Sequence, residues 1–234
     1  LRVVETLRVA KLDDAYVRII VTRGVGEVDI DPASCKEPNV FLIVKAIPAY
    51  PPEYYSKGID VHLCGIERTS RRATDPGIKS GNYLNSVLAI METRKRGSFE
   101  GIMLNGEGHL TEGTTSNVFF VRGGAVHTPS ESCGILLGIT RALVFELAAD
   151  LSIDLCEGEF RTEDLVGSDE SFITSTTRGV MPIASFDGKP VRGPSPGPVT
   201  RRLMEALARR LEDDTSIGGL DAFVARETTG SKSG

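Results

Sequence analysis

Lys79 lies in the segment Asp75-Pro76-Gly77-Ile78-Lys79-Ser80-Gly81-Asn82-Tyr83-Leu84-Asn85-Ser86, between a Pro-Gly turn signal and the start of a helical pattern. A lysine amine can form a Schiff base with an aldehyde cofactor, and this lysine has its backbone fixed from both sides. Glu112 follows a strand pattern and precedes Gly113-Thr114-Thr115-Ser116. An ionised carboxylate there could face a heterocyclic nitrogen and keep it protonated, which makes the ring a stronger electron sink. Taken alone, it also fits an exposed turn carboxylate. Gly138-Ile139-Thr140-Arg141 opens a helix. The first N–H groups of a helix lack internal partners and favour an anion. A plain threonine N-cap at Thr140 fits that stretch equally well. Thr174-Ser175-Thr176-Thr177-Arg178-Gly179 sets a row of donors in a bend, a second place for an anion, although hydroxyl-rich loops are common.

These residues need elements to hold them. Leu1, Val4, Leu7 and Val9 read as one face of a helix over residues 1–12 with no capping residue ahead, so the chain is expected to begin inside a helix. Tyr16 to Gly24 reads as a strand, with Tyr16, Arg18, Ile20 and Thr22 on one face and Val17, Ile19 and Val21 on the expected core face. Asn39 to Ile47 is a near-continuous apolar run, which suggests a strand buried on both faces. Pro48-Ala49-Tyr50-Pro51-Pro52 is too proline-dense for a helix and marks a linker. The expected organisation is a small domain over 1–48, a linker over 49–56 and a large domain over 57–234.

In the large domain, helices are expected over 82–96, 140–150 and 199–211, with a helical turn over 162–165. Short strands fill most of the remainder. Asp187-Gly188 is a hairpin signal. The tail Glu227 to Gly234 reads as disordered.

The net charge of -5 disfavours nonspecific nucleic-acid binding, which needs a basic surface. No apolar run approaches the roughly 20 residues of a membrane-spanning helix, and the start lacks a secretory pattern. Cys35, Cys64, Cys133 and Cys156 are widely spaced, and His62, His109 and His127 are not near them in sequence. That spacing disfavours zinc and disulfide frameworks and fits free thiols in a reducing cytoplasm. No metal is expected.

The order Ile78-Lys79-Ser80-Gly81-Asn82-Tyr83-Leu84-Asn85, Glu112-Gly113, Gly138-Ile139-Thr140-Arg141 and Thr174-Ser175-Thr176-Thr177 with Pro182 resembles the fold-type IV pyridoxal-phosphate enzymes, from about Tyr16 to about Leu211. The family holds branched-chain and D-amino-acid aminotransferases and aminodeoxychorismate lyase. The resemblance implies a mixed α+β fold of two domains, a small α/β one and a larger β-barrel-like one with flanking helices. It implies that Lys79 holds pyridoxal 5'-phosphate covalently and moves a proton. Tyr83 would bond the ring oxygen and Glu112 would face the ring nitrogen. Ile139, Thr140 and Thr176 would cradle the phosphate, and the Thr177 backbone N–H would help hold the substrate carboxylate. The family's phosphate-binding arginine has no match here and is expected upstream of Leu1. Homodimers are the family's habit.

Within the family, Tyr16-Val17-Arg18 resembles the Tyr-x-Arg strand of branched-chain aminotransferases, which makes Tyr16 and Arg18 candidate substrate residues. The expected activity moves an amino group from a branched-chain L-amino acid to 2-oxoglutarate by a ping-pong mechanism. Val21-Thr22-Arg23-Gly24 and Ser175-Thr176-Thr177 resemble the D-amino-acid aminotransferases instead. The acidic stretch Val25 to Asp31 lacks the arginine and histidine that those enzymes carry nearby. The lyase, and a non-catalytic binding protein of the same fold, complete the alternatives.

Overall fold

The computed structural model describes residues 2–12 and 14–216, so Leu1 and the tail from 227 lie outside the described residues. These residues fall into two compact units, one of residues 2–49 and one of residues 50–212.

The smaller unit holds helix α1 (Arg2–Ala10) and strands β1 (Tyr16–Thr22) and β2 (Asn39–Lys45). The strands pair antiparallel in unbroken register from Tyr16↔Lys45 to Thr22↔Asn39. Gly24, at φ +97°, is required where the ribbon ends, because a Cβ there would sit 1.7 Å from the Glu37 carbonyl oxygen. Two expectations fail here. Ile19 and Val21 do not face a core; they are 57% and 65% exposed. β2 is not buried on both faces either, since Val40, Phe41 and Ile43 are all about half exposed. A two-stranded ribbon with a single helix packed beside it offers an apolar run too little to bury against within this unit.

In the larger unit, Pro52 leads directly into the one-turn helix α2 (Glu53–Ser56). The expected linker over 49–56 therefore carries a helix in its second half, because proline is tolerated where a helix begins. Tyr50, Tyr54 and Tyr55 pack on the core of this unit. Strand β3 (Ile59–Leu63), helix α3 (Leu84–Lys95) and strands β4 (Glu100–Leu104), β5 (Leu110–Gly113), β6 (Asn117–Arg122) and β7 (Ala125–Pro129) follow. Next come helix α4 (Ile139–Asp150), strand β8 (Leu155–Gly158), helix α5 (Thr162–Val166), strands β9 (Glu170–Ser175), β10 (Gly179–Phe186) and β11 (Lys189–Pro190), and helix α6 (Pro198–Ser216). Asp187 and Gly188 both have positive φ, as the two-residue hairpin between β10 and β11 demands.

The strand pairings β10-β3-β4-β5-β6 continue through β9, which bonds both β6 and β10, so the sheet closes on itself as a barrel. All six strands send apolar side chains inward: Ile59 and Val61, Ile102, Leu110, Val118 and Phe120, Ile173, and Met181 and Ile183 form one buried cluster. The barrel is thus filled rather than hollow. The alternate residues of β6 and β9 point out, where Phe119 stacks on Phe172 at 5.0 Å. That outer layer is covered by Val144 and Leu147 of α4 and Leu203 and Leu207 of α6. On α3 the helical repeat Leu84, Val87, Leu88, Met91 faces outward, 44–70% exposed, while Ala89 and Thr93 are buried.

Candidate active site

Lys79 follows a turn in which Asp75 Oδ1 accepts the Gly77 N–H at 2.9 Å and the Asp75 carbonyl accepts the Ile78 N–H. Four residues later Tyr83 forms the N-cap position of α3. The lysine is exposed and close enough to the Glu112 carboxylate for its charge to act there.

Glu112 is on β5, and its side chain is 9% exposed. Burial, the largest influence, raises its pKa above the usual carboxylate value, against the opposing pull of Arg68, the Leu136 N–H and Lys79. Arg68 Nη2 lies 2.8 Å from Oε1. The Leu136 N–H donates to Oε2 at 2.8 Å. Asn117, which pairs with Glu112 across the β5–β6 turn, points its amide nitrogen 2.8 Å from the Leu136 carbonyl and 3.5 Å from Oε2.

Arg68 did not stand out in the sequence. A lone arginine in a loop reads as solvated, and its partner lies 44 residues on in the chain. The signal that could have found it is Asn85, in the Lys79 segment. Asn85 Oδ1 accepts from Arg68 Nη1 at 3.4 Å and from the Thr69 N–H at 3.2 Å, and its amide donates to the Glu67 carbonyl at 2.7 Å. The start of α3 therefore aims the guanidinium at Glu112. Arg68 also lines a small pocket with Thr74, Pro76, Ile78, Ser80 and Asn82, so the turn before Lys79 and the arginine bound to Glu112 share one hollow.

α4 begins at Ile139 with Gly138 as its N-cap and no side-chain cap. The plain N-cap reading of Thr140 is thereby corrected: Thr140 lies inside the first turn and is buried. Gly138 is glycine because a Cβ would come within 2.3 Å of Asn117 Oδ1. Asn117 thus ties the start of α4 to the Glu112 carboxylate. Asn117 also pairs with Thr174 on β9, which leads to the bend at Ser175–Arg178, closed by the Arg178 N–H on the Ser175 carbonyl at 3.2 Å. Thr176 is exposed on this bend and Thr177 half-buried. Thr174 Oγ1 and Ser175 Oγ are buried with no hydrogen-bond partner among the described residues, so hydroxyls are left over beside the bend.

Tyr16 and Arg18 stand on β1 of the smaller unit. Arg18 is exposed, and Lys45 Nζ lies 5.2 Å from the Tyr16 ring centroid. All four cysteines are free, and among the described residues no group of histidine, cysteine or acidic side chains is arranged to hold a metal ion.

The family model described as amino-transferase class IV matches residues 2–186. A putative branched-chain-amino-acid aminotransferase of Methanocaldococcus jannaschii is 40% identical over 203 residues, covering 87% of this chain and 69% of that protein. The branched-chain-amino-acid aminotransferase of Escherichia coli K12 is 32% identical over 205 residues, covering 87% and 66%. Among solved structures, the branched-chain aminotransferase of Thermoproteus uzoniensis with norvaline superposes with a TM-score of 0.82 at 32% identity, covering 89% and 68%. The chain spans about two thirds of the length of these relatives.

Proposed function

This chain belongs to the class IV aminotransferases, and from that premise we propose that it is a pyridoxal-phosphate-dependent enzyme moving an amino group from a branched-chain L-amino acid to 2-oxoglutarate. The observation that carries the reading is the buried Glu112 carboxylate, held by Arg68 and the Leu136 N–H within reach of the Lys79 charge. A carboxylate whose pKa is raised by burial gains from one more cationic neighbour, and a protonated ring nitrogen is such a group. The leftover hydroxyls at Thr174 and Ser175 and the uncapped start of α4 suit an anion such as the cofactor's phosphate. The residues present therefore fit the cofactor.

When bound, pyridoxal phosphate supplies an aldehyde that captures amines and a protonated ring that accepts electrons from the substrate. Lys79 would carry the cofactor at rest. Its amine, once released and neutral, would take the proton from the substrate Cα and return it, acting as general base and then general acid. Glu112 would hold the proton on the ring nitrogen, with Arg68 and Asn117 keeping the carboxylate ionised and aimed. Tyr83 would bond the ring oxygen. Ile139 and Thr140 at the start of α4, with Thr176, would hold the phosphate, and the Thr177 N–H would orient the substrate carboxylate. Tyr16 and Arg18 would meet the substrate side chain, with Arg18 receiving the second carboxylate of glutamate.

We place the enzyme in the cytoplasm, as a homodimer acting on small molecules rather than on nucleic acid or membranes. Among the described residues no helix is long and apolar enough to cross a membrane. The test is a panel of L- and D-amino acids with 2-oxoglutarate and pyruvate as acceptors. L-leucine or L-isoleucine with 2-oxoglutarate is expected to turn over best. Turnover of D-alanine alone, or release of pyruvate from aminodeoxychorismate, would replace the substrate assignment by one of the family's other activities.

A further inference from the structure

Glu100, at the start of β4, is completely buried, with no other acid among its hydrogen-bond partners. Its Oε1 accepts the Gly101 N–H at 3.0 Å, the Thr114 N–H at 3.1 Å and the Thr114 hydroxyl. Its Oε2 accepts the Ser116 hydroxyl at 3.2 Å and Arg178 Nη1 at 2.5 Å. The second guanidinium nitrogen of Arg178 donates to Thr115 Oγ at 3.2 Å. The guanidinium lies 5.3 Å from the Phe99 ring centroid, and its own carbonyl accepts the Tyr55 hydroxyl at 3.2 Å. Burial opposes the charge on Arg178, but Glu100 and Tyr50 outweigh it and hold the group firmly protonated.

This pair touches two loops at once. One, Thr114–Ser116, follows Glu112 at the end of β5. The other is the bend Ser175–Arg178, with Thr176 and Thr177 next to the arginine. The ladder through Glu112, Asn117 and Thr174 carries the strands up to both loops, and beyond it the side-chain bonds of Glu100 and Arg178 bridge one loop to the other. An arginine fork can bond two acceptors in one plane, and a lysine cannot. We propose that Glu100 and Arg178 are positioning residues that set the distance between the ring-nitrogen acid Glu112 and the anion-holding bend at Thr176–Thr177, and so tune the site to the length of a phosphorylated cofactor. The inference rests on the pyridoxal-phosphate reading above. Neither residue is assigned contact with the cofactor.

Deleting the arginine would strand a buried carboxylate and could unfold the chain. The test therefore uses Arg178→Lys, which keeps the charge, and Thr115→Val, which removes only the exposed acceptor of the second nitrogen. Each variant and the parent chain are titrated with pyridoxal phosphate and with pyridoxal, which lacks the phosphate. The preference of the parent for the phosphorylated form is expected to fall roughly tenfold in each variant, the size of one charge-assisted hydrogen bond, with pyridoxal binding unchanged. An unchanged preference, or equal weakening of both ligands, would overturn the positioning role while leaving the cofactor reading intact. A parent chain that bound neither ligand would overturn the cofactor reading and this inference together.

Discussion

Arg68 Nη2 stands 2.8 Å from Glu112 Oε1, and both side chains are largely withdrawn from water. The pair links the loop that ends in Lys79 to the strand that carries the acid. Arg68→Gln is expected to leave Glu112 buried without its main cation, so its pKa rises further. Breaking a buried pair from one side costs on the order of 3 kcal/mol. Urea denaturation should show a loss of that order, and turnover should fall together with protonation of the bound ring, read from the cofactor's absorption. Unchanged stability and spectrum would remove Arg68 from the site.

Gly138→Ala should disturb the start of α4. The added Cβ would meet Asn117 Oδ1 at 2.3 Å, and the asparagine cannot retreat without releasing the Leu136 carbonyl or the Glu112 carboxylate. Overpacking of this kind costs about 1–3 kcal/mol. Thermal denaturation should register that cost, and pyridoxal phosphate should bind more weakly than to the parent. Equal affinity in the variant would show that the helix start does not hold the cofactor.

His62 provides a pH dependence away from the site. Its Nδ1 bonds Asp187 and its Nε2 lies 3.0 Å from Glu92, joining β3 to the β10–β11 hairpin and to α3. Arg96 faces the same hollow, and Asp60 is near enough to interact with the ring. Burial alone would lower the histidine's pKa, but the two carboxylates outweigh it and raise the pKa above 6.5. The charged form is therefore stabilised by folding. Its contribution is complete below the unfolded pKa of about 6.5 and is lost as pH rises through the higher folded value. Unfolding free energy should fall as pH rises above about 6.5, and His62→Gln should flatten that slope. A parent chain with no slope in this window would contradict the account.

How much of this was legible in sequence depended on the range of the interaction. Lys79, Glu112 and the Gly138 helix start announce themselves through local turn and helix signals, and the Asp187-Gly188 hairpin through its turn chemistry. Arg68 and the Glu100–Arg178 pair were not legible, because each needs the barrel to bring distant segments together. Ile19, Val21 and Phe41 misled in the other direction. Apolar alternation marks a surface that prefers to be covered, but a two-stranded ribbon does not itself supply the cover. Pro48 to Pro52 is non-helical, as its proline density suggests, but the proline signal hides the one-turn helix that begins at Glu53, directly after Pro52.

The central claim is that Lys79 carries the cofactor. The chain is incubated with pyridoxal phosphate, reduced with borohydride, digested and analysed by mass spectrometry. The account predicts a stable phosphopyridoxyl mass on the peptide containing Lys79, and its disappearance in Lys79→Ala. A label on any other lysine, or a Lys79→Ala protein that is labelled as fully as the parent, would contradict it.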